Sequence, residues 1–420
     1  MKDTEKFDIY KKLKEDLCIK YKGYDLKYAM SPDFVFHAYK LAEFKVTFSN
    51  VKFFLFHNEN IFDFTLAIKS RKVLFTSTLS GKDHMSLMHT VCSMVENGEY
   101  LSFKTQRHNA INIINIIISF FQVFINLKAS PKIKLYFFFK VVNFKNYIDM
   151  LESIQDSISV KAYVAMMSGG KESILSAYFK KRNVKTFCLQ HGLHASSKDF
   201  KYFIPADFVS IENLNADHML AWGAFTREAL LKEGYPESAY MLAGNPKYSQ
   251  NAEITVSNDR FDKCIICLAR DIYSSYNLQL LSLAGEMQEN GFTVFIKLHP
   301  RSDISLYETT LSKLKLRLLN TSVSIQQSIE ELNPDFVIVY NSTVYYEYYI
   351  NNIIAFRYSV YANDIPFGLN DEFSTMDELN QRIETFKNRN TEELNTEINA
   401  VIGRFCALGV NNYAEILNNI

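Results

Sequence analysis

The sequence predicts an α/β fold made of two parallel-sheet halves, and three observations carry this prediction. The 420 residues exceed the usual size of one domain and suit two. From about residue 160, short apolar segments alternate with amphipathic segments, as in βαβ units. This alternation restarts after Gly244-Asn245-Pro246. We therefore predict one domain at residues 1–243, a second at 244–400, and a helix within 401–420 that crosses back to the first.

The composition excludes several classes of protein. Lys plus Arg and Asp plus Glu each total 46, whereas a nucleic-acid-binding domain usually carries a basic surplus. Only 14 Gly and 8 Pro occur, which argues against collagen-like or low-complexity chains. The charged first 25 residues contain no secretory signal, so a cytoplasmic protein is expected. Cys264 and Cys267 form a CxxC inside an apolar segment, which favours core cysteines over a metal or redox pair.

The individual elements follow from apolar runs, periodicity and turn residues. In the first half, we predict strands at 161–167, 184–190, 208–213 and 218–223, and helices at 174–183 and 225–236. In the second half, we predict strands at 263–269, 293–298, 316–325 and 335–340, helices at 276–291, 303–315 and 343–352, and a helical tail. Residues 1–155 show no comparable rhythm, and no topology is predicted for them.

Residues 110–145 combine apolar, aromatic and basic side chains. Polar side chains recur every three or four positions between residues 112 and 126, which predicts a helix with one polar face. We favour a core helix followed by a buried strand. Peripheral contact with a membrane surface through 110–145 is the alternative. Its basic anchor would be Lys132, Lys134, Lys140 and Lys145.

Polar residues follow the predicted strands of the second half. Ligands of parallel α/β sheets bind at the carboxyl ends of the strands, so these residues are candidates for a binding site. They are Arg270, His299, Arg301, Asn341, Ser342 and Thr343, and the same set includes Pro300 and Lys297, the latter near the end of the strand at 293–298. Basic side chains together with hydroxyl groups at the start of a helix favour phosphate. The sequence therefore predicts a site for the phosphate of a nucleotide.

The strand ends of the first half carry a different set of residues. They are Ser168, Gly169, Gly170, Lys171, Gln190, His191, Gly192 and Glu212. His191 and Glu212 are both candidates for a general base that activates an acceptor hydroxyl, and residue type alone does not rank them. The sequence has no HExxH motif and no Cys/His cluster, so we predict neither a metal ion nor another cofactor.

Four segments resemble the GT-B glycosyltransferases that build bacterial capsules and surface polysaccharides. They are LQHG at 189–192, the block from WG to GNPKY at 222–248, KLHP at 297–300 and NSTVYYE at 341–347. A His-Pro pair followed by a Ser/Thr element is similar to the phosphate site of polysialyltransferases and Kdo transferases, which use CMP-activated sugars without a metal. CDP-glycerol glycerophosphotransferases resemble the chain in its His-Gly and His-Pro pairs.

This resemblance implies two Rossmann-like domains that face each other across a cleft. It implies that His299 and Ser342 hold the donor phosphate, that Glu347 contacts the ribose, and that Gly244 and Asn245 lie on the donor side. The implied reaction moves a sugar from a nucleotide-sugar donor, with a CMP-sugar favoured, to a growing oligosaccharide or lipid-linked glycan at the cell surface. The acidic base motif of several sialyltransferase families is absent, which leaves the base open between Glu212 and His191.

Two other enzymatic activities and one non-catalytic role remain alternatives to sugar transfer. SGGKES at 168–173 resembles the SGGxDS loop of PP-loop ATP pyrophosphatases, although Glu172 replaces the usual aspartate. A CDP-alditol phosphotransferase would fit the His-Gly and His-Pro pairs. A non-catalytic scaffold with the same fold is a third class.

Overall fold

A computed structural model describes residues 3–39, 47, 57–60, 68–69, 72–79, 81–107, 112–154, 158–198, 205–320, 323–340, 342–360 and 369–420. The chain divides into two compact units. Unit 1 comprises Met1–Lys247 together with Val410–Ile420, and unit 2 comprises Tyr248–Gly409. The division falls four residues after the predicted boundary, and the last eleven residues belong to unit 1.

Unit 1 is an α/β unit with a parallel central sheet. Its strands are β1 (Lys20–Tyr21), β2 (Tyr24–Asp25), β3 (His57–Asn60), β4 (Ile68–Lys69), β5 (Val73–Ser77), β6 (Gly98–Ser102), β7 (Lys104–Arg107), β8 (Ile158–Ser159), β9 (Ala162–Ala165), β10 (Lys185–Leu189), β11 (His218–Ala221) and β12 (Tyr240–Leu242). Its helices are α1 (Asp3–Asp16), α2 (Leu26–Ala38), α3 (Lys82–Met94), α4 (Ile113–Asn126), α5 (Pro131–Ser153), α6 (Gly170–Lys180), α7 (Pro205–Glu212), α8 (Ala224–Glu233) and, near the end of the chain, α15 (Tyr413–Asn418).

The central sheet of unit 1 has the order β12-β11-β10-β9-β5-β6, and every pair is parallel. Parallel strands are covered on both faces and therefore consist of nearly continuous apolar residues, as the buried strand Ala162–Ala165 shows. The order reverses between β5 and β9, because the chain adds β6 on one side of β5 and β9 to β12 on the other. Such a switch point opens a crevice at the carboxyl ends of the two central strands.

Unit 2 contains a second parallel sheet. Its strands are β13 (Lys263–Cys267), β14 (Thr293–Lys297), β15 (Arg317–Leu318), β16 (Phe336–Val339), β17 (Ile354–Tyr358) and β18 (Glu372–Phe373). Its helices are α9 (Ser274–Glu289), α10 (Glu308–Lys313), α11 (Ile325–Leu332), α12 (Val344–Ile350), α13 (Met376–Lys387) and α14 (Thr391–Phe405). The sheet order is β15-β14-β13-β16-β17-β18, with all pairs parallel. Here the switch point lies between β13 and β16.

The predicted α/β class with two Rossmann-like halves is confirmed by these two sheets. Two element predictions are wrong, and a third element is shorter than predicted. Residues 208–212 form the end of helix α7 and not a strand, and the buried strand expected after the helix within 110–145 is instead the long helix α5. The strand predicted near 316–325 is present as the two-residue strand Arg317–Leu318. The run of three phenylalanines in α5 is buried because this helix packs into the core of unit 1 over most of its length.

Helix α4 is oriented differently from the predicted core helix. Its polar residues Asn115 and Ser119 are buried, whereas isoleucine and phenylalanine side chains on the opposite face are exposed. No helix in the described part of the chain is long and apolar enough to cross a membrane. Apolar and polar residues alternate in the sequence VTFSNVKFFLFH at 46–57, and all of these residues except 47 and 57 lie outside the described ranges.

Candidate functional site

The candidate phosphate site of unit 2 is built on three neighbouring strands. Strand β13 pairs with β14 on one side and β16 on the other, and Cys267 is in register with both Lys297 and Val339. The segments that follow the three strands therefore emerge side by side at one edge of the sheet. They contain the predicted residues Arg270 and His299, as well as Ser342 and Thr343.

A buried hydrogen-bond network holds the first two of these segments. Asn277 of α9 is fully buried, and its side chain bonds both backbone groups of Ala269, at 3.0 and 2.9 Å. The same amide donates to the hydroxyl of Tyr307 at 2.9 Å, and that hydroxyl donates to Asp271 at 2.9 Å. Asp271 also accepts the N–H of Asp303 at 2.8 Å, which ties the segment after β13 to the segment after β14.

The charge on Asp271 is stabilised within this network. Burial alone would raise the pKa of its carboxyl, but bonds from the Asp303 N–H and the Tyr307 hydroxyl help to lower the pKa below its ordinary value. The negative charge of Asp271 also lies near the His299 ring. Asn277 and Tyr307 were not predicted, because their partners are 8 and 36 residues away.

His299 is held in one tautomer. Its Nδ1 accepts the backbone N–H of Arg301 at 3.1 Å. A ring nitrogen that accepts a hydrogen bond carries no proton, so the proton of the neutral ring is on Nε2. His299 can therefore donate a hydrogen bond from Nε2 to an anion.

The three basic residues predicted around His299 differ in their surroundings. Lys297 is buried, its Nζ donates to the Val323 carbonyl, and burial lowers the pKa of its amine. Arg270 and Arg301 are exposed, as is Pro300. Among the residues that the structure describes, no carboxylate lies within 4 Å of either guanidinium. The two arginines are thus the exposed cations of this edge, and Lys297 supports the segment from inside.

The segment after β16 is partly described. Asn341 lies outside the described residues, whereas Ser342 and Thr343 are half-buried. The Ser342 hydroxyl accepts the Val344 N–H at 3.3 Å, which fixes the turn before the seven-residue helix α12, and Thr343 is the N-cap residue of this helix. Glu347 on that helix accepts the Tyr248 hydroxyl at 3.0 Å. Burial, and then the Glu347 charge, raise the pKa of Tyr248.

Gly244 and Asn245 lie in unit 1, and Gly244 contacts the C-terminal segment of that unit. Gly244 has φ +82°, and a Cβ there would approach the Val410 carbonyl oxygen to 2.0 Å. Its own carbonyl accepts the Tyr413 hydroxyl at 2.8 Å, and the Asn245 side chain accepts the Lys247 N–H at 3.1 Å. The predicted donor-side residues of the GNPKY segment therefore have structural contacts within unit 1.

In unit 1, the switch point between β5 and β9 is occupied by Glu172. This fully buried carboxylate accepts the N–H and the hydroxyl of Thr78, at 3.1 and 2.6 Å, and the Met166 N–H at 2.8 Å. Burial raises the pKa of Glu172 to about 7 despite these bonds. A side-chain carboxylate thus takes the hydrogen bonds that a bound anion would take at this position.

The predicted residues of the SGGKES segment are packed against the protein. Ser168 is buried with its hydroxyl 3.4 Å from the Cys188 thiol, and Gly169 leaves no room for a Cβ because Pro32 would lie 2.5 Å away. Lys171 is buried, with its amine 5.5 Å from the centre of the Tyr147 ring. Only Gly170, with φ +61°, has open space around it. A pyrophosphate-binding loop needs exposed hydroxyl and N–H groups, so this packing disfavours the PP-loop alternative.

His191 is part of a histidine cluster at the same edge of unit 1. Its ring lies between those of His84, at 5.6 Å, and His194, at 5.1 Å. His191 is half-buried, and its Nδ1 lies 3.3 Å from the Leu189 carbonyl oxygen. Burial, and then the nearby His84, lower the pKa of His191 to about 4, so its ring is neutral at pH 7. His84 and His194 were not predicted, because they do not directly follow a predicted strand.

The neighbouring predicted residues Gln190 and Gly192 shape the turn after β10. The Gln190 amide donates to the Gly192 carbonyl at 2.8 Å and accepts the Trp222 N–H at 2.7 Å and the Thr226 hydroxyl at 2.8 Å. Gln190 is therefore a buried structural residue that holds the turn in which His191 lies.

Glu212 is engaged elsewhere in unit 1. It ends helix α7, and its carboxylate accepts the Tyr10 hydroxyl at 2.5 Å and forms an ion pair with Lys14 at 3.0 Å. The expectation that it follows a strand is wrong, because residues 205–212 are helical. Of the two candidate bases, His191 alone lies beside the carboxyl end of a central strand.

In the described ranges, no group of three His, Cys, Asp or Glu side chains is placed to hold a metal ion. Cys264 and Cys267 are buried free thiols, and burial raises the pKa of both. The absence of a cofactor stays a prediction, as do the binding roles of the residues above.

One family model matches part of the chain. Residues 271–360 match the model of the alpha-2,8-polysialyltransferase family. The match contains Asp271, His299, Tyr307 and Ser342 and covers less than a quarter of the chain. It confirms the predicted resemblance to polysialyltransferases and supports glycosyl transfer as the reaction of this chain. No curated protein matches the sequence.

Several solved structures are similar to the chain at low identity. One is the UDP-GlcNAc 2-epimerase of Methanocaldococcus jannaschii, with 11% identity, coverage of 83% of this chain and 98% of that chain, and a TM-score of 0.45. Another is MnaA of S. aureus with UDP, with 10% identity, coverage of 82% of this chain and 94% of that chain, and a TM-score of 0.49. A third is the lipopolysaccharide outer core galactosyltransferase WaaB, with 14% identity, coverage of 83% of this chain and 98% of that chain, and a TM-score of 0.46.

Proposed function

We propose that this chain transfers a sugar from a CMP-activated donor to a growing surface or capsular glycan. One observation carries the proposal. The segment matched by the polysialyltransferase model contains both His299 and Ser342, which follow strands β14 and β16 on either side of β13. Parallel α/β sheets bind nucleotides at this kind of position.

The donor phosphate would be held by unit 2. His299 Nε2 and the guanidinium groups of Arg270 and Arg301 supply hydrogen-bond donors and positive charge at one sheet edge. As the bond between the anomeric carbon and the phosphate oxygen breaks, negative charge grows on the departing CMP. Groups fixed in place before the reaction stabilise such charge best, and the Asp271–Tyr307 network fixes the two segments that carry His299 and the arginines. We therefore propose that departure of the phosphate needs no metal ion.

The acceptor hydroxyl would be activated by His191. Its neutral ring can take the hydroxyl proton while the acceptor oxygen bonds to the anomeric carbon and CMP leaves with the electrons of the broken bond. This course inverts the anomeric centre. Glu212 is less suited to the role, since Lys14 and Tyr10 already bond its carboxylate.

The reaction is proposed for the cytoplasm. All six cysteines are free thiols, which fits a reducing compartment.

A nucleotide-binding panel tests the proposal. Thermal unfolding of the full chain would be followed with CMP, CDP, UDP, GDP or ATP present, since a ligand that binds only the folded state raises Tm. We expect CMP or CDP to raise Tm for the wild type and for His89→Ala, an exposed histidine of unit 1, but not for His299→Ala. Stabilisation by ATP alone would contradict the proposal. Transfer of a glycerol phosphate group from CDP-glycerol would identify the phosphotransferase instead.

A further inference from the structure

Helix α4 exposes an unusual amount of apolar side chain. Seven large residues of this 14-residue helix are between 44% and 72% exposed. They are Ile113, Ile114, Ile117, Ile118, Phe120, Phe121 and Ile125. Their spacing places them on one face of the helix, and the partly buried Phe124 lies on the same face. Soluble proteins rarely leave a continuous apolar surface of this kind uncovered.

The opposite, polar face of α4 is attached to helix α5. The Asn115 amide donates to Asp149 at 2.8 Å and to Asn146 at 3.2 Å, and Lys145 donates to Gln122 at 2.7 Å. The apolar face therefore cannot turn inward without breaking these bonds. Burial alone would raise the pKa of the Asp149 carboxyl, but the hydrogen bonds that it accepts together lower the pKa below its ordinary value, so this carboxylate is a charged anchor for the helix.

We propose that α4 lies in the plane of an anionic membrane surface, with its isoleucine and phenylalanine side chains inserted among the lipid chains. At 14 residues the helix is about 21 Å long, which is too short to span a bilayer but suits an in-plane position. The proposal concerns attachment of the protein and does not depend on the reaction it catalyses.

The chain segment that contains α4 is basic. Residues 100–148 contain no Asp or Glu, and this stretch carries six Lys and one Arg. Lys128 and Lys132, which directly follow α4, are exposed. Basic side chains beside an inserted apolar helix are attracted to anionic headgroups.

The chemistry of the exposed face favours lipid over a protein partner. All eight side chains on this face are Ile or Phe, so none of them can form a hydrogen bond. Protein interfaces typically have about one hydrogen bond per 100–200 Å² to set the orientation of the partner. Lipid chains require none, since they are apolar and fluid.

The anchor differs from the four lysines expected from the sequence. Lys145 is buried against Gln122, Lys140 pairs with Asp33 at 3.0 Å, and Lys134 donates to the Phe124 carbonyl at 2.9 Å. Of those four, only Lys132 is exposed. The structure therefore assigns the insertion to α4 and the headgroup contact to Lys128 and Lys132.

Vesicle flotation of the full chain tests the proposal. Vesicles of pure phosphatidylcholine would be compared with vesicles of equal parts phosphatidylcholine and phosphatidylglycerol. We expect the wild type to float with the anionic vesicles and Ile114→Ser/Ile117→Ser/Phe121→Ser to bind at least about tenfold less. Ile304→Ser/Leu306→Ser, which removes exposed apolar residues of unit 2, should float as the wild type does. Lys128→Gln/Lys132→Gln should lose the preference for anionic vesicles.

Tryptophan fluorescence of a second variant tests the insertion of α4 even if the triple variant does not fold. Trp222 is the single tryptophan of the chain and is 7% exposed, so its emission should not respond to vesicles. Phe121→Trp should show a blue shift with anionic vesicles. Three outcomes would overturn the proposal: no flotation of the wild type, equal flotation of the folded triple variant, or no blue shift in Phe121→Trp. Self-association of the wild type that the triple variant loses, without vesicle binding, would identify a protein interface instead.

Discussion

The carboxylate of Glu172 accepts both the backbone N–H and the side-chain hydroxyl of Thr78, at 3.1 and 2.6 Å. Thr78 directly follows strand β5, and Glu172 lies on α6, which follows β9. The contact thus joins the two strands that flank the switch point of unit 1. The Glu172 carboxylate therefore takes up N–H and hydroxyl groups that an anion bound at this SGG-type segment would need.

Glu172 should make the stability of the protein depend on pH. Its pKa is raised from 4.5 to about 7 in the folded state. Because this pKa is raised on folding, Glu172 contributes most to the free energy of unfolding below pH 4.5. That contribution is lost as the pH rises to about 7. The loss is about 3 kcal/mol. Urea unfolding of the wild type and Glu172→Gln from pH 4.5 to 8 measures it, and the free-energy difference between the two should change over this window. A constant difference would contradict this assignment.

Asn277 should contribute strongly to the stability of unit 2. Asn277→Ala leaves both backbone groups of Ala269 and the Tyr307 hydroxyl without this buried partner. We expect a loss of about 1–3 kcal/mol in the free energy of unfolding, measured in denaturant. Asn290→Ala, which removes an exposed amide bonded to Glu286, is the matched control and should change stability by less than about 0.5 kcal/mol. Equal effects of the two variants would show that the network carries no special stability.

Gly244 should be required for attachment of the C-terminal segment. In Gly244→Ala the new Cβ would clash with the Val410 carbonyl, and the positive φ adds strain. We expect faster hydrogen exchange in residues 410–418 and a lower Tm. Gly403→Ala, in the interior of α14 with no atom within 4 Å of the new Cβ, should instead stabilise the protein by about 0.5–1 kcal/mol. Unchanged exchange in Gly244→Ala would refute the proposed attachment.

His191 should control the acidic limb of the pH–rate profile. A general base must be unprotonated, and the lowered pKa of His191, about 4, keeps it so above pH 5. We expect kcat/KM to be level between pH 6 and 8 and to fall at lower pH. His191→Ala should lower kcat about 100-fold or more, whereas His89→Ala should not. An acidic limb centred near pH 6.5 would argue for another base.

The parts of the structure that could be predicted share a physical cause. Strands buried on both faces, such as β13 and β16, appear as continuous apolar runs, and the residues after them could therefore be named. Residues 208–212 and 131–147 are just as apolar but lie in helices, because local composition does not separate a buried strand from a buried helix. The partners of Asn277 and Glu172 depend on contacts between distant segments, which periodicity does not encode.

The orientation of α4 shows the same limit. A helix with polar residues on one side was visible in the sequence, and the usual rule would turn that side to solvent. The carboxylate of Asp149 and the amine of Lys145, both on α5, instead bind the polar side and leave the apolar side outside.

Release of CMP from CMP-activated sialic acid, with a sialic acid oligosaccharide as acceptor, tests the central claim most directly. We expect the wild type to release CMP at a rate that depends on the acceptor and is unchanged by EDTA, and His299→Ala to be at least about 100-fold slower. His89→Ala should match the wild type. Equal rates for His299→Ala and the wild type, or no acceptor-dependent release from any CMP-sugar, would contradict the account.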